Sequence, residues 1–339
     1  MLTIDGSLGE GGGQVLRTSL ALSIVTGTPV RLENIRAGRP KPGLQRQHLT
    51  SVNAAAKVSS ASVRGAALGS RELTFEPAAI QSGKYHFDVG SAGSVGLVLQ
   101  TVLPPLLLAN GPSKLVLVGG THNSHAPTFD FLHRSFLPLV NRLGPTVLAR
   151  LERHGFYPRG GGRMIVDIQP AAELAPLCLD ARGDIRRVTA TAVIAGLPRH
   201  VAERELKVAQ SGLDLSPDAL VIRELPSDQG PGNVLSIEIE SEHVTEIITS
   251  FGCRGVRAEH VAATAVAEAQ RYLSANVSVG EYLADQLLLS LALARSGSFV
   301  TLPLSRHSTT NIEVIAKFLA ARFAVKELGP EQHRVMCRA

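Results

Sequence analysis

Residues 2–35, LTIDGSLGEGGGQVLRTSLALSIVTGTPVRLENI, hold a strand, a glycine-rich turn, a helix and a second strand. Leu16, Leu20 and Ile24 fall on one face of a helix expected from Gln14 to about Thr26, and Gly27 supplies its stop. Val30 to Ile35 alternates as a strand. Pro42 opens a second helix expected to run to about Val58, and strands near Ser62–Arg64 and Glu72–Glu76 close a βαβαββ unit.

The same order then returns. Tyr85–Val89 reads as a strand, and Ser91-Ala92-Gly93-Ser94 leads into a helix ending near Ala109. Lys114–Val118 is a strand, Phe129 to Leu143 a helix, and strands follow near Val147–Glu152 and Arg163–Ile168. Asp5 and Asp88 hold similar places, as do Gly27-Thr28-Pro29 and Gly111-Pro112-Ser113. An internal repeat of this length is a strong architectural signal. A third copy begins with a strand at Leu177–Asp180 and resumes with a helix at GEYLADQ, residues 280–286. Roughly 95 residues lie between, too many for a loop. They carry strand-like stretches at Arg187–Ala195 and Val234–Glu240 and helical ones at His200–Ser211 and Glu259–Ser274. The expected fold is therefore α/β (α+β): three repeated βαβαββ units packed around a pseudo-threefold. These units form a large domain, residues 1–181 and 278–339, with a smaller α+β domain inserted at 182–277.

The third unit continues with SFVTLPLSRHSTTNIEVIAKFLAARF, residues 298–323. Phe299, Val300, Leu302 and Leu304 suit a strand. Ile312, Ile315, Ala316, Leu319 and Phe323 recur at helical spacing, and Thr310 with Glu313 fits a capping box. His307 then sits at the mouth of a helix, where free N–H groups and the dipole favour phosphate. This loop alone does not separate a capping histidine from a nucleophile. A neutral imidazole can attack phosphorus, and the neighbouring Arg306 would favour the neutral form near the usual pKa of about 6.5.

Composition narrows the field. At 339 residues and 44% hydrophobic content the chain can bury a large core. The apolar run Val98–Ala109 is too short to span a bilayer and contains Pro104 and Pro105, so no membrane role and a cytoplasmic location are expected. Three cysteines without a CxxC argue against a disulfide framework or a structural zinc. The net charge of +5 comes from a basic set of seven Lys and 27 Arg, and Arg suits bidentate phosphate contacts. With no Trp and 4% aromatics, phosphates rather than stacked bases should dominate any nucleic-acid contact.

Three segments carry candidate chemistry. In GEGGGQVLR, residues 9–17, glycines before a helix permit close approach of a phosphate, and Glu10 among them suits a metal, a ribose hydroxyl or a plain turn. In IRAGRPKPGLQRQH, residues 35–48, Pro and Gly fix a loop crowded with Arg36, Arg39, Lys41 and Arg46, with Gln47 and His48 behind it. In HGFYPRGGGRM, residues 154–164, three glycines imply a special turn or a close backbone approach. Gathering of the helix openings would bring Glu10, Gln100, Asp285 and His307 to one cleft.

Together these segments resemble the RNA 3′-terminal phosphate cyclase family over almost the whole chain. The resemblance includes GSAGS…LVLQTVLP at 90–104, LPRHVAERE at 197–205, DQGPGN at 228–233 and GEYLADQ at 280–286. It implies ATP-dependent conversion of an RNA 3′-terminal phosphate to a 2′,3′-cyclic phosphodiester, with RNA and ATP as partners and a divalent metal, Mg²⁺ or Mn²⁺, in support. It implies that His307 becomes a covalent histidine–AMP and hands AMP to the RNA end. Glu10 would be the metal-associated carboxylate. Arg17, Arg36, Arg39, Gln47 and His48 would line the phosphate and RNA-end cleft. Gln100, Pro127, Tyr282, Asp285 and Gln286 would hold the adenosine, with Tyr282 and Pro127 flanking the base. Arg306 and Ser308 beside the histidine, and Met164 beyond the glycines, depart from the family pattern. A non-catalytic relative acting in RNA or ribosome assembly would lack the histidine. An enolpyruvyl transferase would need six such units, and a lysine nucleotidyl transferase a KxDG motif; neither is present. The oligomeric state is not fixed by the sequence.

Overall fold

A computed structural model describes residues 1–338. The first unit comprises β1 (Leu2–Asp5), α1 (Gly13–Thr26), β2 (Val30–Glu33), α2 (Arg46–Ser59), β3 (Ser62–Arg64) and β4 (Leu73–Glu76). The second comprises β5 (Lys84–Asp88), α3 (Val95–Leu106), β6 (Ser113–Gly119), α4 (Phe129–Phe131), α5 (Leu137–Asn141), β7 (Thr146–Arg153) and β8 (Gly162–Gln169). The third starts with β9 (Leu177–Leu179). The intervening stretch forms β10 (Ile185–Ala195), α6 (His200–Leu213), β11 (Leu220–Leu225), β12 (Gly232–Ser241), β13 (Thr245–Phe251) and α7 (Ala258–Ala275). The third unit then resumes with α8 (Glu281–Leu293), β14 (Ser296–Thr301), α9 (Arg306–Phe318), β15 (Arg322–Gly329) and β16 (Gln332–Arg338).

The three units share one topology. Their four-stranded sheets run β1-β2-β4-β3, β5-β6-β8-β7 and β9-β14-β16-β15. In each, the first two strands pair in parallel and the last two lie antiparallel to their neighbours. The parallel pair needs a crossover, and the first helix of each unit provides it. Those first helices are apolar on nearly all sides and are buried. In α1 every residue from Gln14 to Ile24 is inside, and α8 is buried over most of its length. Helices apolar all round belong at the centre. The second helices α2 and α9 keep a solvent face. One continuous core joins Ile4, Leu20 and Leu32 to Leu99 and Leu117, and these to Leu287 and Phe299.

The stretch between β9 and α8 builds its own sheet, β11-β10-β12-β13. Its separate core is rich in alanine, including Ala192, Ala202, Ala262 and Ala265, which lets α6 and α7 approach the strands closely. Val300 and Leu302 of the third unit extend this core. The two ends of the stretch are pinned together. Ser278 Oγ lies 2.6 Å from the Leu179 carbonyl and accepts from Val300 N at 3.0 Å. No helix among the described residues is long and apolar enough to cross a membrane.

Several boundaries differ from the sequence expectation. The second helix of unit one begins at Arg46, not Pro42. Arg36 adopts φ 56°, and its Nη1 donates to the carbonyls of Lys41 and Gly43 at 2.6 and 2.8 Å. This holds residues 36–43 as a closed loop. Gln45 and His48 then form the reciprocal cap of α2. The expected helix from Phe129 to Leu143 is interrupted by a wide π turn at Leu132–Phe136. The capping box at Thr310 and Glu313 is not formed. Ser305 is the N-cap, its hydroxyl accepting from Ser308 N at 3.2 Å, so His307 lies inside the first turn of α9. That helix ends at Phe318, and Phe323 belongs to β15.

Glu205 of α6 is fully buried. It accepts from Asn233 Nδ2 at 2.9 Å, and burial pushes its carboxyl up to about 7. The folded state therefore keeps a proton that the unfolded chain releases above its ordinary value of 4.5. Stability conferred by the neutral acid is complete below that value and is lost as pH rises towards 7. Between pH 5 and pH 8 the native protein should lose about 2–3 kcal/mol relative to Glu205→Gln. Paired denaturant titrations at the two pH values measure this, and a constant difference would refute it.

Candidate active site

The glycine turn before α1 packs against the opening of α9. Glu10 N donates to Thr310 Oγ1 at 3.1 Å, which ties the two segments across 300 residues of sequence. A side chain at Gly13 would displace its neighbours. A Cβ there would stand 2.6 Å from His48 Nε2 and 2.7 Å from Arg17 Nη1. The close approach of α1 to α2 thus depends on a missing side chain.

A chain of polar groups crosses the centre of the fold. Gln14 Nε2 donates to both oxygens of Asp285, at 2.8 and 2.9 Å. Gln14 Oε1 lies 3.1 Å from His307 Nδ1. A carboxylate only accepts, so the Gln14 amide must turn its nitrogen to Asp285 and its oxygen to His307. That oxygen only accepts in turn, so Nδ1 carries the ring hydrogen. In the neutral imidazole Nε2 is left with its lone pair. Burial holds the His307 pKa below the usual imidazole value; Asp285 opposes this, and Arg39 and Arg17 add to it. The ring is nevertheless half exposed, at 51% of its side-chain surface. Its Nε2 stands 3.7 Å from Glu10 Oε1, beyond hydrogen-bond reach.

The chain extends to the second unit. Arg17 Nε donates to Gln100 Oε1 at 2.8 Å, and Gln100 Nε2 to Gln286 Oε1 at 3.0 Å. Equivalent first helices of the three units, α1, α3 and α8, therefore meet through Gln14, Arg17, Gln100, Asp285 and Gln286. Burial pushes the Asp285 pKa up, while Gln14, His307 and Arg17 pull it back. Asn311 Nδ2 adds contacts to the Asp285 backbone and carboxylate at 3.3 and 3.4 Å.

A basic cleft adjoins this chain. Arg17 is buried, which pushes its pKa down to about 10, with Arg36 repelling it further and Asp285 opposing. His48 is held neutral, its pKa pushed down to about 3 by burial and then by Arg17, Arg36 and Arg39. Its Nδ1 accepts from Gln45 N at 3.3 Å. The hydrogen of the neutral ring is thus on Nε2, the atom nearest the Gly13 position. Positive charges forced together in this way lower the cost of admitting an anion. Glu10 is the counter-charge. Its buried carboxylate contacts the Arg39 guanidinium, and no well-formed hydrogen bond reaches either oxygen.

The expected residues do not all converge as free ligand groups. Glu10, Arg17, Arg39, His48, Gln100, Asp285, Gln286 and His307 gather in or beside the cleft. Arg36 uses Nη1 on its own loop. Gln47 Oε1 accepts from Ser94 N at 3.0 Å, at the approach to α3. Pro127 is half buried on the loop entering α4. Tyr282 stands 63% exposed on the first turn of α8. It borders a cavity of about 320 Å³ shared with Glu246, Glu268 and Arg271. Sequence reading missed Gln14, although Gln14, Arg17 and Thr18 form a polar stripe at helical spacing on an otherwise apolar helix. It also missed Asn311, whose Oδ1 accepts from Thr18 at 2.9 Å. HGFYPRGGG and DQGPGN meet each other. There His154 N donates to Gln229 Oε1 at 3.1 Å, and Phe156 packs against Gly232.

A family model described as RNA 3′-terminal phosphate cyclase matches residues 8–325. The chain belongs to that family. A family relative from Koribacter versatilis (strain Ellin345), named RNA 3′-terminal phosphate cyclase, is 50% identical over 327 residues, covering 96% of this chain and 92% of its own. Among solved structures, the enolpyruvyl transferase NikO from Streptomyces tendae overlaps 99% of the chain and 48% of its own at 13% identity. Its TM-score of 0.39 is too low to bear on the cyclase fold.

The polar chain makes a direct expectation. Long-range ¹H–¹⁵N spectra should find neutral His307 as the Nδ1–H tautomer, and Gln14→Leu should shift it towards Nε2–H. An unchanged tautomer in that variant would show that Gln14 does not set it.

Proposed function

We propose that the protein is an ATP-dependent RNA 3′-terminal-phosphate cyclase that works in the cytoplasm through a covalent histidine–AMP. The observation that carries this reading is the Asp285–Gln14–His307 chain, which leaves the Nε2 lone pair of a half-exposed imidazole beside a basic cleft.

Nε2 attacks the α-phosphorus of ATP. A P–N bond forms, the bond to the bridging oxygen breaks, and pyrophosphate leaves. The ring gains positive charge while Nδ1 keeps its hydrogen, and Gln14 Oε1, polarised by Asp285, faces that charge. An oxygen of the RNA 3′-phosphate then attacks the same phosphorus. The P–N bond breaks, and the neutral ring is restored in its starting tautomer. Finally the ribose 2′-OH attacks the 3′-phosphorus, AMP departs, and a 2′,3′-cyclic phosphate remains. Arg17, Arg39 and the His48 Nε2–H hold the phosphates, with Arg36 and Gln47 bracing the loop and helix around them. Gln100, Gln286, Asp285, Tyr282 and Pro127 hold the adenosine.

A divalent cation fits the donor set at Glu10. The buried carboxylate has the Arg39 guanidinium against one oxygen and no well-formed hydrogen bond at either, and Mg²⁺ is commonly held by one carboxylate together with substrate phosphates and water. Among the described residues no group of three or more His, Cys, Asp and Glu gathers into a cage. Bound there, the cation would neutralise phosphate charge as a Lewis acid.

Incubation with α-labelled ATP and Mg²⁺ or Mn²⁺ should label the protein with an acid-labile, base-stable adduct. His307→Ala should abolish labelling while thermal unfolding stays as in the native protein, and labelling of that variant would sink the reading. An acceptor with a 2′-deoxy, 3′-phosphate end should stall as the adenylated end. AMP release from it at the ribo rate would show that cyclisation is not the reaction.

A further inference from the structure

Of ten Phe and four Tyr, only Tyr157 and Tyr282 are exposed among the described residues, at 76% and 63%. Tyr282 has a role in the proposed nucleotide site. Tyr157 has none, yet it sits on a tightly determined turn. Its neighbour Phe156 is buried against Val193, Ala195 and Val234. Three residues after Tyr157, Gly160 adopts φ +70°. A Cβ there would stand 2.8 Å from Ala92 Cα and Ser91 O. The turn is thus clamped on both sides while the tyrosine ring projects into solvent. Arg159, also exposed, is fixed by donation from Nη1 to the Asp228 carbonyl at 2.9 Å. The Asp228 carboxylate is taken by Arg153 at 2.7 Å, so Arg159 is held by a neutral acceptor and keeps its charge for a ligand.

This turn is connected to the phosphate cleft. Gly160 packs on Ser91 and Ala92, and Gly93 packs on Gln47, the neighbour of His48. Gln47 in turn accepts from Ser94 N. Ser91, Ala92 and Gly93 therefore link cleft and turn, with the Asn123 amide donating to the Ala92 carbonyl at 2.7 Å. Arg46, exposed at the near end of this link, donates to the Gly90 carbonyl at 3.2 Å. Exposed cations at Arg46 and Arg159 on either side of this link, with an exposed aromatic beside the second, suit a single polynucleotide strand.

We propose that Tyr157 and Arg159 form a subsite for the RNA chain upstream of the reacting end. The tyrosine stacks on an upstream base, and the arginine holds a phosphate beside it. Stacking tolerates any base, so the subsite reads chain length and not sequence. This rests on the reading of the cleft as an RNA-end site.

The test compares two acceptors in the absence of ATP: a single-stranded, 3′-phosphorylated oligoribonucleotide of roughly ten residues, and a nucleoside 3′,5′-bisphosphate that ends short of the turn. Fluorescence anisotropy and competition give both affinities. Tyr157→Ala should weaken the oligomer about tenfold, while Tyr157→Phe should retain it within about twofold, since stacking needs the ring and not the hydroxyl. Arg159→Ala should weaken it and lower its salt dependence by about one phosphate. None of the three should change binding of the bisphosphate or labelling of the protein by ATP. Native affinity for the oligomer in Tyr157→Ala, or equal losses for both acceptors, would overturn the subsite. RNA that binds as expected to a protein that is never adenylated would overturn the cyclase reading and leave the subsite standing. Failure of the native protein to bind the oligomer would overturn both.

Discussion

A carboxylate buried where three helices meet must be surrounded by donors, and Asp285 imposes that condition on this fold. Removing a charge from water is costly unless hydrogen bonds replace the lost hydration. Gln14 supplies two, Asn311 weaker ones, and Arg17 a nearby cation. These residues sit on α1 and α9, so both helices must take one rotation and one depth relative to α8. The same bonds fix the amide of Gln14 and hence the tautomer of His307. The orientation of that imidazole is thereby part of how the repeats pack.

The cleft beside it shows the opposite arrangement. Arg17, Arg36, Arg39 and His48 face one another with Glu10 as counter-charge, and the result is visible in Arg17 and His48. Such crowding opposes folding and favours a bound anion, in line with the tendency of functional sites to hold groups away from their ordinary pKa. Gly13 makes the crowding possible by bringing α1 within reach of α2.

The repeat was legible in the sequence because each unit buries an apolar first helix and alternates its strands, and these patterns are local. The cluster of Glu10, Asp285 and His307 was legible only as an inference from topology. Caps were harder. Ser305 and Thr310 both offer a hydroxyl before a helical run, and Thr310 has Glu313 at the right spacing. Thr310 Oγ1 instead faces the Arg306 carbonyl at 2.7 Å and accepts from Glu10 N. A contact to residue 10 cannot be read near residue 310. The start of α2 was misplaced for a related reason: the Arg36 guanidinium closes its loop on carbonyls that no local pattern identifies. Gln14 was overlooked because an amide is unremarkable until its two ends are seen to face a carboxylate and an imidazole.

The pinning of Leu179 to Ser278, 99 residues apart in sequence, also sets an order of assembly. During synthesis β9 emerges well before β14, the strand it pairs with. The first two sheets and the whole intervening sheet contain all their own strands by then and are free to form. The third sheet waits with an unpaired edge until β14 to β16 have emerged. Because α9 follows β14, His307 is placed only after that strand has emerged, and a chain stopped before α9 would hold a basic cleft without it. Slow, long-range closure of this kind exposes strand edges to other chains. The ribosome-bound intermediate, more than the finished protein, is the species at risk of aggregation.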